Sequence, residues 1–395
     1  MKKIQTINAI YLALAPILAV YMFSNGIQLY FVLVLLLFIL NLLLGNIKKA
    51  IMVRKNELQW YSSIVIIGLF GYIYNINSNF FNTSLFINNF IALTIFFVAL
   101  IICTSNYNAR ILKKTLLIFG ITASVVCILQ RAQLLLTGSF YKDVFLPGLE
   151  VMRDLDTFST DRVSAFFTEP AHLSIYLIPI YYIELYDKNY LNACFICLGI
   201  LFSGSTTGLL LVLLLSVYYI IRNTHKKIYI LYSLIGISII YSGIMFLFPD
   251  VLINNIEKIN AVDTDSVRLL GPLFYLDLFD GFQLCFGIGL NQLSDFLQSN
   301  GIYVENEWGV AKNANYANAV IYSILSYGFL GLYFFVRYLI KAIKVNKTDF
   351  GFVIYTIGIL FSDQILFNMN FLYILTFLVT SQIVLSNNEN IIYNK

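Results

Sequence analysis

Charge is scarce in this chain. Only 12% of its residues are Asp, Glu, Lys or Arg, against about 25% in an ordinary soluble domain. With 59% hydrophobic residues and a mean hydropathy of +0.80, a soluble globular domain is excluded. Histidine is rarer still, at two residues. No His/Cys spacing suggests a metal site, so neither a metal nor another cofactor is expected. The cysteines are Cys103, Cys127, Cys194, Cys197 and Cys285. Cys194 and Cys197 form a C-x-x-C inside the apolar run Leu191 to Leu198. A thioredoxin-type pair needs an exposed, electropositive helix start, so these two read as small packing residues. No soluble domain, low-complexity tail or internal repeat is visible, and residues 1–395 read as one integral membrane domain.

Apolar runs of about 20 residues recur from end to end, the length a helix needs to cross hydrocarbon. Lipid offers no partners to an unpaired backbone, so the expected fold is an all-α polytopic bundle. We read about twelve transmembrane helices, near 6–23, 28–45, 60–76, 85–103, 115–136, 171–186, 190–204, 207–221, 228–248, 316–340, 350–367 and 370–386. The first stretch follows Met1-Lys2-Lys3 and has the look of a signal peptide. Ala15-Pro16 lies in its middle and further spans follow at once, so it reads as a retained first helix.

Lysine and arginine mark one set of alternate connections: Lys48 to Lys55, Arg110 to Lys114, Lys188, Arg222 to Lys227, and Lys341 to Lys347. Lys2, Lys3 and Lys395 put both termini on the same side. By the positive-inside rule that side is the cytoplasm. Two long polar loops, 138–170 and 249–315, then face outward. The second carries Asp250, Glu257, Asp263, Asp265, Asp277, Asp280, Asp295, Glu305 and Glu307 against Lys258, Arg268 and Lys312.

Each loop holds an arginine in a distinctive setting. Arg162 precedes Val163-Ser164-Ala165-Phe166-Phe167-Thr168-Glu169-Pro170. Its guanidinium fork suits phosphate oxygens, with a surface arginine beside Asp161 or Asp156 as the alternative. Pro170 suits a first helical position, which places Thr168 or Glu169 at the cap. Glu169 is either a capping carboxylate favoured by the helix's positive end or a base for an acceptor hydroxyl. His172 is one turn inside, a packing residue or a substrate contact. Arg268 opens a stretch that turns apolar again from Ser266 to Phe286, expected as one amphipathic helix on the outer membrane surface. Tyr275 within it and Asn318 beyond it join Arg162, Arg268 and His172 as substrate-binding candidates. Gly287-Ile288-Gly289 reads as a tight turn, and Ser203 to Gly208 as a small-residue outer connection suited to close helix approach.

Taken in order, these segments resemble the bacterial O-antigen polymerase and ligase superfamily, and most closely its polymerases. The matching features are Arg162 to Pro170, Ser203 to Gly208, Arg268 leading into Phe286 to Leu290, and Ala317-Asn318 followed by Gly328-Phe329-Leu330-Gly331. Ligases of that superfamily usually carry His-Asn where Ala317-Asn318 stands, which argues against a ligase. The resemblance implies a glycosyltransferase of the bacterial cytoplasmic membrane, acting in polysaccharide or capsule synthesis at the cell envelope. Its donor would be a glycan on undecaprenyl pyrophosphate, transferred to the next lipid-linked repeat unit. Arg162 and Arg268 would hold the pyrophosphate and Glu169 would act as base. Membrane lipid, a flippase and a chain-length regulator are the implied partners, and nucleic acid is not among them.

Two other readings stay open. A ligase would use the same donor for a single transfer. A flippase or transporter of lipid-linked oligosaccharide would need polar groups inside several spans. The spans hold chiefly Asn41, Asn89, Arg131, Asn192 and Asp363, most of them near span ends.

Overall fold

The structure, a computed structural model, describes residues 2–24, 26–140, 148–151, 163–223, 271–302, 305–306, 309–310 and 317–385. Helices dominate. In chain order they are α1 (Lys2–Leu18), α2 (Leu29–Leu43), α3 (Ile47–Val53), α4 (Lys55–Asn75), α5 (Thr83–Ser105), α6 (Ala109–Thr137), α7 (Pro170–Tyr186), α8 (Tyr190–Ser203) and α9 (Thr206–Asn223). A 3-10 helix (Gly271–Leu278) follows, then α10 (Gly281–Phe286), α11 (Leu293–Ser299), α12 (Ala319–Asn346), α13 (Phe350–Ser362) and α14 (Met369–Leu385). Strands among the described residues are two-residue ladders, pairing Tyr21 with Val151 and Glu305 with Val310.

Short polar side chains start many of these helices. Asn82, Asn108 and Asn318 each accept a hydrogen bond from the backbone N–H three residues on, and Asp349 from that of Gly351. Each satisfies a donor that the first turn would leave unpaired. Gly138 and Gly204 end α6 and α8 in the left-handed conformation that a side chain disfavours.

Four helices are long and apolar enough to cross a membrane unaided: α5, α6, α9 and α12. A fifth candidate is α2 with α3, bent by 106° at their junction. The remaining apolar helices α1, α8, α13 and α14 are shorter. At 1.5 Å per residue the 13 residues of α13 extend only ~20 Å, against roughly 30 Å of hydrocarbon. The expected eleventh span stops early because Asp363 caps α13. Asp363 itself is buried, and its carbonyl accepts from the Ala319 N–H. The expected ninth span, 228–248, lies outside the described residues.

Many large apolar side chains stand on the surface. Leu43 is 76% exposed, Leu136 85% and Leu191 88%. Such residues suit a bundle whose solvent at that belt is lipid. Inside, Trp60 of α4 stacks on Tyr338 of α12 at 4.3 Å and meets Phe97 of α5 edge-on at 4.9 Å.

Polar contacts knit the two ends of the bundle separately. At one end, Asn8 donates to the Asn106 carbonyl, Arg54 to that of Thr104 at 2.7 Å, and Lys341 to Gln59 at 3.1 Å. Lys113 pairs with Asp187 at 2.6 Å and Arg222 with Asp349. This end gathers the Lys/Arg-bearing connections. The opposite end holds the described parts of both long loops, with Tyr21-Met22 paired to Glu150-Val151 and Asn82 bonded to Gln292.

Candidate functional site at the loop-bearing end

Arg162 and Arg268 lie outside the described residues. The residues that follow Arg162 form a built corner. Ser164 Oγ donates to the Phe167 carbonyl, and the Phe167 N–H donates back to Ser164. Ala165 between them has φ 53°, a left-handed conformation costly for a residue with a Cβ. Gln130 of α6 holds it there. Its amide accepts from the Ala165 N–H at 2.8 Å and donates to the Ala165 carbonyl at 3.0 Å. Val163, Ser164, Ala165 and Phe167 are fully buried under this clamp.

The corner delivers the chain to α7. Pro170 takes the first position and Glu169 the N-cap, with extended backbone at φ −133° and ψ 152°. The Glu169 carboxylate makes no capping hydrogen bond to the first turn, and its side chain is only half-buried. A carboxylate is favoured at the positive end of a helix, and among the described residues no donor occupies that of Glu169. His172, on the same turn, bonds through Nδ1 to Thr168 Oγ1 at 2.7 Å. That contact orients the ring, so the structure brings Glu169, Thr168 and His172 together.

Tyr275 and Asn318 stand on other elements of this end, Tyr275 in the 3-10 helix and Asn318 at the start of α12. The apolar stretch expected as one amphipathic helix is two pieces in its described part, a 3-10 helix and α10, parted at Phe279-Asp280. The reason is local. Asp280 and Gln283 form a reciprocal capping box, which starts a new helix rather than continuing the old one. Tyr275 sits half-buried on the 3-10 piece. Burial pushes its phenol pKa up, so it remains a neutral donor well above neutral pH. Asn318 is 3% exposed and accepts from the Ile321 N–H as the cap of α12. Its side-chain oxygen is thereby engaged in structure.

The four segments singled out in the sequence pack two by two. A Cβ on Gly208 would overlap Ser174 of α7, and Ser174 Oγ lies 3.5 Å from Ser203 Oγ. Thus the Ser203 to Gly208 turn seats against the helix that Glu169 begins. The expected tight turn at Gly287 to Gly289, with φ 76° and 100°, docks on α12. Ile288 and Gly289 donate to the carbonyls of Leu325 and Ser326, both at 3.0 Å. At Gly328 the helix breaks to φ 67°, ψ −173°. A Cβ on Gly328 would strike the backbone of Cys285, and one on Gly287 that of Ser326. The crossing is backbone against backbone. Helix α14 connects the clusters, since Tyr373 donates to the Tyr176 carbonyl at 2.9 Å while Phe371 meets Phe335 of α12 at 5.9 Å.

Three residues that sequence reasoning passed over prove central here. Gln130 stands with Arg131 and Gln133 in an otherwise apolar run, and polar groups in such a run are the signal that marks it. Asn291 and Tyr322 are the others. The Tyr322 hydroxyl donates to Asn291 Oδ1 at 2.6 Å and accepts from its N–H at 2.8 Å. Compared with protein-family models and with curated proteins, the chain matches none.

Proposed function

We propose that this chain is a polysaccharide repeat-unit polymerase of a bacterial cytoplasmic membrane, with about twelve spans and both termini cytoplasmic. The observation that carries the reading is Glu169, whose carboxylate stands uncapped at a helix start on the loop-bearing end, opposite the basic one. In the reaction, the acceptor sugar of a lipid-linked repeat unit gives its hydroxyl proton to Glu169. Its oxygen attacks the anomeric carbon of the growing glycan. The bond from that carbon to undecaprenyl pyrophosphate breaks, and the pyrophosphate leaves with the electron pair. Arg162 and Arg268 neutralise the charge that develops on the leaving group. A direct displacement of this kind inverts the anomeric centre.

Polar residues inside the spans favour surface chemistry over passage. Asn41 donates to the Leu37 carbonyl within its own helix, Asn192 to Glu184, and Asn89 to the Leu290 carbonyl. Each is occupied in packing, whereas a flippase would direct such groups toward its cargo.

The test is Glu169→Gln in producing cells, with membrane levels of the protein checked. Loss of a general base lowers turnover by about 10²–10⁴-fold, so the long-chain ladder collapses to single-repeat material. An unchanged ladder removes the base role. Arg268→Ala read alongside gives the same collapse if its guanidinium serves the leaving group. A single transfer without a ladder in the unaltered protein would point to a ligase, and no new glycosidic bond to a flippase.

A further inference from the structure

At the basic end, the first turns of α4 and the second half of α12 enclose a groove of about 420 Å³, lined by Lys55, Gln59, Ser62, Ser63, Arg337 and Lys341. A second groove of about 810 Å³ follows the exposed face of α12 along Phe329, Tyr333, Val336 and Ile340, and shares Arg337 and Lys341 with the first. The two therefore meet at a pair of cations. From Phe329 to Ile340 the apolar strip extends ~16 Å along the helix. Its members face outward, with Phe329 52%, Tyr333 56% and Ile340 49% exposed.

The charges here are unbalanced. Buried Glu57 is matched by Arg54 at 3.9 Å. Among the described residues, no ion pair joins Lys55, Arg337 or Lys344 to a carboxylate. Trp60 and Tyr338 line the same groove at 3% exposure each. The indole N–H and the phenol hydroxyl find no hydrogen-bond partner among the described residues. Unmatched cations that run directly into an apolar strip complement an amphiphile whose head is anionic and whose tail is hydrocarbon.

We propose that this groove binds an anionic phospholipid from the leaflet at the basic end. Its phosphate sits among Lys55, Arg337 and Lys341, and an acyl chain lies along Phe329 to Ile340. A free anion would use the cations and leave the strip bare. A zwitterionic lipid would fill the strip and leave the cations uncompensated. The site is distinct from the Glu169 region and does not rest on the polymerase reading.

The experiment measures the melting temperature of the full-length protein in detergent as phosphatidylglycerol, phosphatidylcholine or inorganic phosphate is added. Phosphatidylglycerol alone raises it, because a ligand that binds only the folded state stabilises that state. The double variant Arg337→Gln, Lys341→Gln binds phosphatidylglycerol about thirtyfold more weakly, from two lost lipid-surface charges. Equal shifts with phosphatidylcholine or with phosphate overturn the proposal, as does full phosphatidylglycerol affinity in the variant. Should the double variant melt early without lipid, Lys55→Gln is read by native mass spectrometry. Loss of retained phosphatidylglycerol supports the site, and full retention sinks it.

Discussion

Ala165 holds a left-handed backbone while Gln130 grips it from both sides. Replacing Gln130 with Leu leaves a buried N–H and a buried carbonyl unpaired, at a cost of about 1–3 kcal/mol. The expected result for Gln130→Leu is a lower melting temperature with the helical content of the bundle retained. Since the clamp delivers the chain to Glu169, the proposed function predicts that product chain length falls as well. Normal melting and a normal ladder would show that the corner is held by other contacts. Glu169→Gln differs in kind, because that carboxylate caps nothing. On the proposed function it should remove turnover, while the melt falls only slightly, by the roughly 0.3–1 kcal/mol of the lost charge at the helix end.

At the scale of elements, the crossing of Gly287 over the break in α12 is the joint that positions both α10 and the start of α12. Gly328→Ala places a methyl group against the Cys285 backbone and also demands φ 67° of a residue with a Cβ. Strain and overpacking together cost about 3 kcal/mol or more. Gly45→Ala is the control, since it meets the same φ of 67° with nothing within 4 Å. It should cost only about 1 kcal/mol. Comparable melting temperatures for the two variants would mean that the crossing is looser than the geometry indicates. The capping box at Asp280 belongs to this scale too. It converts what composition presents as one surface helix into two elements.

For the molecule as a whole, the separation of its polar contacts into two ends makes sidedness testable. In a background without cysteine, Lys49→Cys and Asn300→Cys place exposed thiols at opposite ends of the bundle. A membrane-impermeant maleimide applied to spheroplasts should label Asn300→Cys, and Lys49→Cys only after permeabilisation. The reverse pattern would put the loop-bearing end in the cytoplasm. It would separate Glu169 from any substrate on the outer face, and the polymerase reading would fall with it.

Scarce charge and long apolar runs were sufficient, from the sequence alone, for a helical membrane protein with one basic end. Backbone hydrogen bonding in lipid leaves few alternatives to helix, and the Lys/Arg bias is legible in single loops. Pro170 at a helix start was legible too, because it is decided within a few residues, whereas the segment read as a tight turn at Gly287 to Gly289 is a positive-φ stretch bonded to α12. Tertiary structure alone decided that Ser203 to Gly208 seats on α7, that Gly287 crosses Gly328, and that Gln130 grips Ala165. Lipid tails are as apolar as leucine, so hydropathy places a segment in the membrane without choosing its neighbour. That choice falls to close backbone approach and to hydrogen bonds between residues far apart in the chain.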